Sequence, residues 1–428
     1  MPEGFCAYPD SACGDRGLRY SEEAGGVSGA CVADTPATAC ITEISAGIGF
    51  TCAVKSDGTV WCWGANDVGQ LGDGTAPGEA RPHATQVALP AGVHASYVGC
   101  GEVHACALSQ DGNVWCWGGN DALQLGQGET DNTDRVTPVS IRFPASSLPI
   151  KSLSVGAAHT CAVDNLEAVW CWGENDHDEA GQDVESACPT SSAGDRCEDV
   201  PEPTPLSTPF NAVYVLLGDE FSCAVDDLNE VHCWGDNTLG ELGIGTLTLP
   251  GTGGFTTPVP QKSGMGAFLT LDKSGENPSL ATGAEHACVA AGGSVYCWGS
   301  NGSAQVGMGS KSSAEATPRN VTSARTVVSG CMSKHTCTLD SKSGSLSCWG
   351  NNADGEIGVG SLDEVLRPTV VPIAGVSQVA LGETHTCAVV TGGHLYCWGA
   401  NDHGQLGFAS SPVVTSPHPS DVMAQICR

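Results

Sequence analysis

Read for hydrophobic and polar spacing, the chain is a succession of short apolar runs cut by turns rich in Gly, Asp and Asn. The first unit shows the form. An alternating segment, Ile41-Thr42-Glu43-Ile44, leads to Gly47; a run through Cys52-Ala53-Val54 meets a turn at Ser56-Asp57-Gly58; a second run, Trp61-Cys62-Trp63, ends at Gly64 and opens a Gly-rich connection. Runs this short, bounded by turn residues, predict strands, and helix signals are almost absent. The unit returns seven times, anchored by Trp-Gly followed by Asn: Gly64, Gly118, Gly173, Gly235, Gly299, Gly350 and Gly399, with Asn66, Asn120, Asn175, Asn237, Asn301, Asn352 and Asn401 after them. Anchor spacings of 49 to 64 residues fit one propeller blade plus variable loops. A β-unit that cannot bury its own faces stacks on its neighbours around an axis and closes. The expected fold is therefore all-β: a seven-bladed β-propeller with four-stranded blades over 41–428, preceded by a small Cys-rich appendage at 1–40.

Cysteine placement refines the blade. Fourteen of the 23 cysteines fall in pairs, one per repeat: Cys52 and Cys62, Cys106 and Cys116, Cys161 and Cys171, Cys223 and Cys233, Cys288 and Cys297, Cys337 and Cys348, Cys387 and Cys397. Their separation is nine, ten or eleven, and turn length changes to match, from Gly292-Gly293 in repeat 5 to Ser341-Lys342-Ser343-Gly344 in repeat 6. Folding each hairpin about its turn sets the two cysteines opposite each other, about 4.5–5.5 Å between Cβ atoms and close to disulfide distance. Two rivals are small buried thiols packing between blades, and zinc. A histidine stands two residues before the first cysteine at His104, His159, His286, His335 and His385, but Phe50 and Phe221 break that set. Seven cross-strand disulfides is the reading adopted, and it implies an oxidising compartment.

Outside the repeat, residues 1–40 hold Cys6, Cys13, Cys31 and Cys40 with little apolar content, a segment that needs staples rather than a core. The Gly five residues before each first cysteine (Gly47, Gly101, Gly156, Gly218, Gly283, Gly382) is replaced in repeat 6 by Met332. The outer strand is expected to be introduced by Pro138, Pro258, Pro318 and Pro368. Two connections are swollen: Asp183 to Pro205 encloses Cys188 and Cys197, expected to pair locally, and Gly245 to Gly283 is rich in Gly, Thr and Pro. Both follow the same point of the repeat and so emerge on one face of adjacent blades. A Cys40–Cys427 bond is expected to clasp the ring, while the pairing of Cys6, Cys13, Cys31, Cys100 and Cys331 stays open.

Charge narrows the partners. With 48 acidic against 17 basic residues the chain lacks the basic cluster that nucleic acid or an anionic membrane surface requires. No apolar run is long enough to span a bilayer, and the first residues hold no signal-peptide core. Nor is there a Gly-x-Ser-x-Gly, His-Glu-x-x-His or phosphate-loop motif, so no cofactor and no catalytic residue is expected. The five histidines are expected to hydrogen-bond between neighbouring strands. The repeated Asn is read as a turn residue, in αL geometry or bonding local amides. Repeat 3 carries Glu174, Asp176, Asp178 and Glu179; Asp176, Asp178 and Glu179 form a candidate Ca²⁺ set, with a solvated acidic loop as the alternative. Trp61, Trp115 and Trp170 are expected to pack between blades.

The pattern Gly-x-x-His-Thr-Cys-Ala-Val … Val-Trp-Cys-Trp-Gly-x-Asn-x-x-Gly-Gln-Leu-Gly resembles the repeats of the regulator of chromosome condensation family over about 390 of the 428 residues. The cysteine-bearing form, with its Cys-rich front segment, is similar to secreted repeat proteins of myxobacteria and related environmental bacteria. The resemblance implies a seven-bladed propeller. It also implies two uses: gripping a protein by one propeller face, as a secreted member does, or exchanging nucleotide on a small GTPase, as the founder does. The founder's nucleosome contact uses a basic tail, and this chain's front segment is acidic. The expected function is thus a non-catalytic, secreted or envelope-exposed (extracellular, periplasmic or cell-surface) binding module for a protein or peptide partner. An intracellular exchange factor is the alternative.

Overall fold

A computed structural model describes residues 41–408 apart from 129–130, 145–148, 183–198, 249–260 and 263–277, together with strands at 7–9, 18–20 and 416–421. Seven antiparallel four-stranded sheets follow one another along the chain, with no helix among the described residues. Blade 1 comprises Ile41–Ala46, Phe50–Lys55, Val60–Gly64 and Arg81–Gln86. Blades 2 to 7 span 95–140, 150–205, 212–262, 279–322, 326–370 and 376–421. Each sheet is a simple meander built from one contiguous stretch, innermost strand first. Ahead of them, Ala7–Pro9 pairs with Leu18–Tyr20.

The hairpins keep one register whatever the turn. With a separation of 10, Cys52 faces Cys62, Cys106 faces Cys116, Cys161 faces Cys171, Cys223 faces Cys233 and Cys387 faces Cys397. Cys288 still faces Cys297 at a separation of 9, and Cys337 faces Cys348 at 11. Gly292 and Gly293 both have positive φ, 58° and 79°, as a two-residue type I′ turn demands. All seven pairs are disulfide-bonded, with Cα atoms 4.1 Å apart, and all fourteen cysteines are buried. Cys6, Cys13, Cys31, the Cys188 and Cys197 pair and the Cys40–Cys427 clasp lie outside the described residues.

Neighbouring blades are joined by a repeated clasp. Each anchor tryptophan is fully buried, and its indole N–H donates to a backbone carbonyl of the preceding blade, at the Gln or Glu of the Gly-Gln-Leu-Gly segment. The same Gln or Glu folds its side-chain oxygen back onto the amide two residues earlier, as Gln70 does to Val68 at 3.0 Å and Glu241 to Leu239 at 2.9 Å. The repeated Asn completes the loop: its side-chain oxygen accepts the amide five residues on, from Leu71 for Asn66 and Ile357 for Asn352. Local amide bonding is thus the role of this Asn. None of the seven adopts positive φ; the αL position falls three residues later, on Gly69, Gly240, Gly355 and Gly404 but also on Leu123, Asp178 and Ala304.

A second set of contacts lies nearer the axis. His104 meets Thr160, His159 meets Ser222, His286 meets Thr336, His335 meets Thr386 and His385 meets Thr51, each from ring Nε2 to a hydroxyl of the next blade at 2.7–3.0 Å. Where blades 1 and 4 carry Phe50 and Phe221 instead, the hydroxyl position of the next blade is Ala105 and Ala287, in the same apolar clusters. The polar pair and the apolar pair are alternative solutions to one buried site.

The outer strands correct one expectation. Pro138, Pro318 and Pro368 do not introduce these strands but sit inside them, each directly before the residue where pairing resumes after a bulge. On an edge strand the missing N–H costs no ladder bond at such a point. Pro258 lies outside the described residues.

Candidate functional site: an acidic face and an axial cavity

One end of the propeller collects the turns between first and second strands. The chain leaving each third strand is stapled to the turn of its own blade: Glu174 N to Ala158 O, Asp236 N to Glu220 O and Ser300 N to Glu285 O, at 2.7–3.0 Å. The turns are also bonded around the axis, Glu102 N to Ala157 O at 2.9 Å and Asp219 N to Ala284 O at 3.1 Å. At Gly47 and Gly101 a Cβ would strike the carbonyl oxygen of the corresponding glycine one blade on, and at Gly382 it would approach Gly47 O; side-chain-free residues let these turns close to a narrow ring. The blade 3 insertion, between Gly173 and Val200, leaves from this end; the stretch from Gly245 to Gly283 does so only as far as Gln261–Lys262, the outer strand of blade 4, and its remainder joins that strand to Ser279–Thr282 of blade 5 from the opposite end.

Its side chains are acidic. Glu102, Asp219, Glu220, Glu285 and Glu383 come from four blades at equivalent turn positions, and Glu174, Asp176 and Asp236 join them from the connections of blades 3 and 4. Burial first, then the charges of Glu220, Glu102 and Glu285, push the Asp219 carboxyl up to about 7, and Lys334 opposes this. Glu174 is likewise raised to about 7, by burial and by Asp176, Asp199, Asp219 and Glu220. His177 Nδ1 lies 3.6 Å from a Glu220 carboxylate oxygen. The carboxylates of this face thus raise one another's cost of ionisation, and a cation placed among them would relieve it.

Beneath the ring lies an axial cavity of about 340 Å³, walled by the innermost strands of all seven blades. It is lined by apolar side chains such as Ile44, Val155, Leu280 and Val327 and by polar ones that include Glu43, Tyr97, Cys100, Cys331 and several serines and threonines. Burial lifts the Glu43 carboxyl to about 7, opposed by a hydrogen bond from the Ile44 backbone, and pushes the Tyr97 phenol well up.

The other candidates resolve into scaffold. The paired cysteines belong to neither the acidic face nor the axial cavity: the Cys52–Cys62, Cys106–Cys116, Cys161–Cys171, Cys223–Cys233, Cys288–Cys297, Cys337–Cys348 and Cys387–Cys397 bonds sit inside the blades, between second and third strands, and brace the hairpins. Bonded sulfurs leave no thiolate for the zinc that the neighbouring histidines suggest. Each His–Ser/Thr pair resembles a base beside a nucleophile, but all ten residues are buried with no route to a substrate, and burial depresses the histidines to about 3 or 4. Of the Ca²⁺ candidates, Glu179 turns inward, Oε2 accepting the His177 amide at 2.8 Å, and Asp178 holds the αL position with φ 58°. Among the described residues these acids, Asp176 included, form no group of three ligand atoms within 4.8 Å; Asp226, Glu230 and His232 do. That group is also scaffold. His232 Nε2 donates to Asp226 at 2.8 Å where Trp170 of blade 3 donates to Asp164 at 3.0 Å, and Asp226 Oδ1 already accepts two hairpin amides. Trp61 and Trp115 are only half-buried, the first under the Lys55 ammonium at 4.5 Å; Trp170 packs edge-on against Phe143 of the connection between blades 2 and 3. In the sequence the blade insertions point to this face. Its acids carry a further signal there, because they recur at the two residues before His or Phe in the repeat.

Seven four-stranded blades, closed on one another and crowned by an acidic rim, define a repeat propeller whose surfaces are set by turns and connections. The chain belongs to the regulator of chromosome condensation (RCC1)-like family: the RCC1-like domain matches residues 142–427, and the RCC1 repeat matches 57–108 and 111–163. It is 30% identical over 355 residues to the ultraviolet-B receptor UVR8 of Arabidopsis thaliana, covering 81% of this chain and 74% of that protein. In fold it is similar to human WBSCR16, with TM-score 0.68, 21% identity and 83% and 88% of the two chains covered. It is similar also to Prp20p of Saccharomyces cerevisiae, with TM-score 0.66, 22% identity and 79% and 80% covered. The Prp20p structure is described with its binding to Gsp1p and histones.

Proposed function

We propose that this protein is a non-catalytic binding module that takes a basic protein or peptide segment on the acidic face of the propeller, and that it works outside the cytoplasm. The observation that carries the first part is the cluster of mutually destabilised carboxylates around Asp219, drawn from several blades and opposed by Lys334. A Lys or Arg side chain there would gain from every carboxylate at once, and steering by the net charge of −31 would speed encounter. The second part rests on the seven buried disulfides, which a reducing cytosol disfavours, and on the resemblance to secreted Cys-rich repeat proteins. Exchange on a small GTPase, the alternative, belongs with reduced cysteines in a cytosol.

The test is calorimetric titration of the full chain with a Lys/Arg-rich peptide and with its Glu-rich counterpart, at low and high salt. Binding of the basic peptide alone, weakened by salt and lost in a D219N/E220Q/E285Q variant whose melting temperature is not lowered, is the expected result. Equal binding of both peptides, or none at low salt, removes the proposal. Intact mass of the native protein before and after reduction tests the compartment: full thiol mass overturns it.

A further inference from the structure

Two thiols of the described propeller stand outside the intra-blade pairs, Cys100 in blade 2 and Cys331 in blade 6. Both are buried and both line the axial cavity. Their blades are separated by blades 7 and 1, so no sheet ladder brings them together. The axis does, through an irregularity in blade 6. In blade 2 the residue paired with the first cysteine of the hairpin is Gly99, seven positions before Cys106; in blade 6 it is Val328, nine before Cys337. The innermost strand of blade 6 accordingly stops at Thr326–Val328, and the longer turn swings inward. It is tied by Ser333 N to Gly330 O at 2.8 Å, and a Cβ at Gly330 would collide with Leu381 O. The result places Cys331 Sγ 3.5 Å from the Cys100 carbonyl oxygen, 231 residues away. On the other side Ser45 Oγ holds the Cys100 amide at 3.0 Å.

We propose that Cys100 and Cys331 form an axial disulfide that ties blade 2 to blade 6 across the channel. The chemistry is thiol–disulfide exchange with a low-molecular-weight or protein disulfide donor. One cysteine thiolate attacks the donor, releasing a donor thiol; the second attacks the mixed disulfide, releasing the other donor thiol. The two cysteines lose two electrons and two protons, and the donor disulfide gains both. Burial raises the Cys100 thiol to about 12 and Cys331 further, with Asp219 adding to the latter, so thiolates are scarce in the closed ring. Exchange therefore belongs to folding, before the channel closes. The bonded product carries no charge and so needs no counter-ion inside the channel. A bond closing 231 residues would restrict the unfolded chain far more than the 10-residue intra-blade loops.

The full chain is refolded in a reduced and oxidised glutathione buffer, blocked with N-ethylmaleimide under denaturation and mapped after proteolysis. A peptide pair linked through Cys100 and Cys331, with label lost from both, is expected. In C100A the label should appear on Cys331, and in C331A on Cys100. The two single variants and the double variant should lower the melting temperature equally, since each removes the same bond. Label on both thiols overturns the proposal, whether or not the intra-blade pairs have formed, because the donor was present. So does pairing of either with Cys6, Cys13, Cys31 or any other cysteine. Protection that a chelator abolishes also overturns it, in favour of a metal. The map reads geometry in a supplied redox buffer, so its failure is separate from that of the extracellular assignment, which rests on the native sample.

Discussion

Trp63 Nε1 donates to the backbone carbonyl of Gln405 at 2.8 Å across 342 residues, which makes the last blade hold the first by the clasp that joins every other neighbouring pair. His385 and Thr51 repeat the same closure at 2.8 Å, and Gly382 packs on Gly47 beside them. Among the described residues no strand is exchanged between the first and last blades; side chains and close backbone approach do the closing. A W63F variant should lose this buried hydrogen bond while the Gln405 carbonyl keeps the Thr51 hydroxyl at 3.1 Å, a cost of about 1 kcal/mol by urea unfolding. W172F, at an internal interface with the Trp172–Gln124 bond of 3.0 Å, should lose at least as much. A much larger loss for W63F would mean that the seam is weaker than the other interfaces.

The His–Thr and Phe–Ala interfaces make a swap possible. In H286F the ring nitrogen that meets Thr336 at 2.7 Å is gone, and the hydroxyl keeps only its bond to Gln305 O at 3.1 Å beside a bulkier apolar ring. That variant should cost about 2 kcal/mol, and T336A about 1 kcal/mol. The double variant recreates the pairing of Phe221 with Ala287 and should cost less than the sum of the singles, a coupling that a double-mutant cycle reads directly. Additive losses would show that the two interface types are not interchangeable.

What could be read in advance was whatever the repeat states many times. Cross-strand cysteine opposition follows from turn length alone, so the hairpins were legible from Cys52 and Cys62 through to Cys387 and Cys397. The clasp was not. The Gln70 carbonyl that receives Trp117 belongs to the backbone, and no residue type announces which carbonyl an indole will reach. The prolines of the outer strands misled because Pro138 reads as a strand breaker, and only the ladder shows the bulge that accommodates it. The axial thiols were visible as unpaired letters, but their meeting depends on two extra residues in one turn of blade 6.

Three blades place Glu where the others carry Gln, and this predicts a pH-dependent gain from a single substitution. Glu241 accepts the Leu239 amide at 2.9 Å, as Gln70 accepts that of Val68, but burial and then Asp236 raise its carboxyl to about 8. E241Q keeps the acceptor and removes the proton-binding group. Above pH 8 the wild-type chain must either protonate Glu241 or bury a charge, at about 1.4 kcal/mol per pKa unit over the rise from 4.5 to about 8, so the variant should be more stable by on the order of 5 kcal/mol. Near pH 4, where both folded and unfolded chains hold the proton, the difference should vanish. A gain independent of pH would place its origin in packing instead.

Buried histidines and buried carboxylates pull stability in opposite directions, and their overlap fixes where it peaks. Carboxyls raised in the folded chain, Glu241 to about 8 and Glu43 and Glu356 to about 7, stabilise it fully below their unfolded value near 4.5. That contribution is lost as pH rises through 7 to 8. The histidines have the reverse sign. His104, His159, His286 and His335 are depressed to about 3 by burial, so their contribution is complete above the unfolded value near 6.5 and is lost as pH falls towards 3. The melting temperature should therefore be highest between about pH 4.5 and 6.5 and fall on both sides. E241Q should flatten the alkaline limb only, and H286F/T336A the acid limb only. A profile rising steadily to pH 8 would mean that these carboxylates are ionised in the folded protein, with water or a cation reaching the inter-blade clasps.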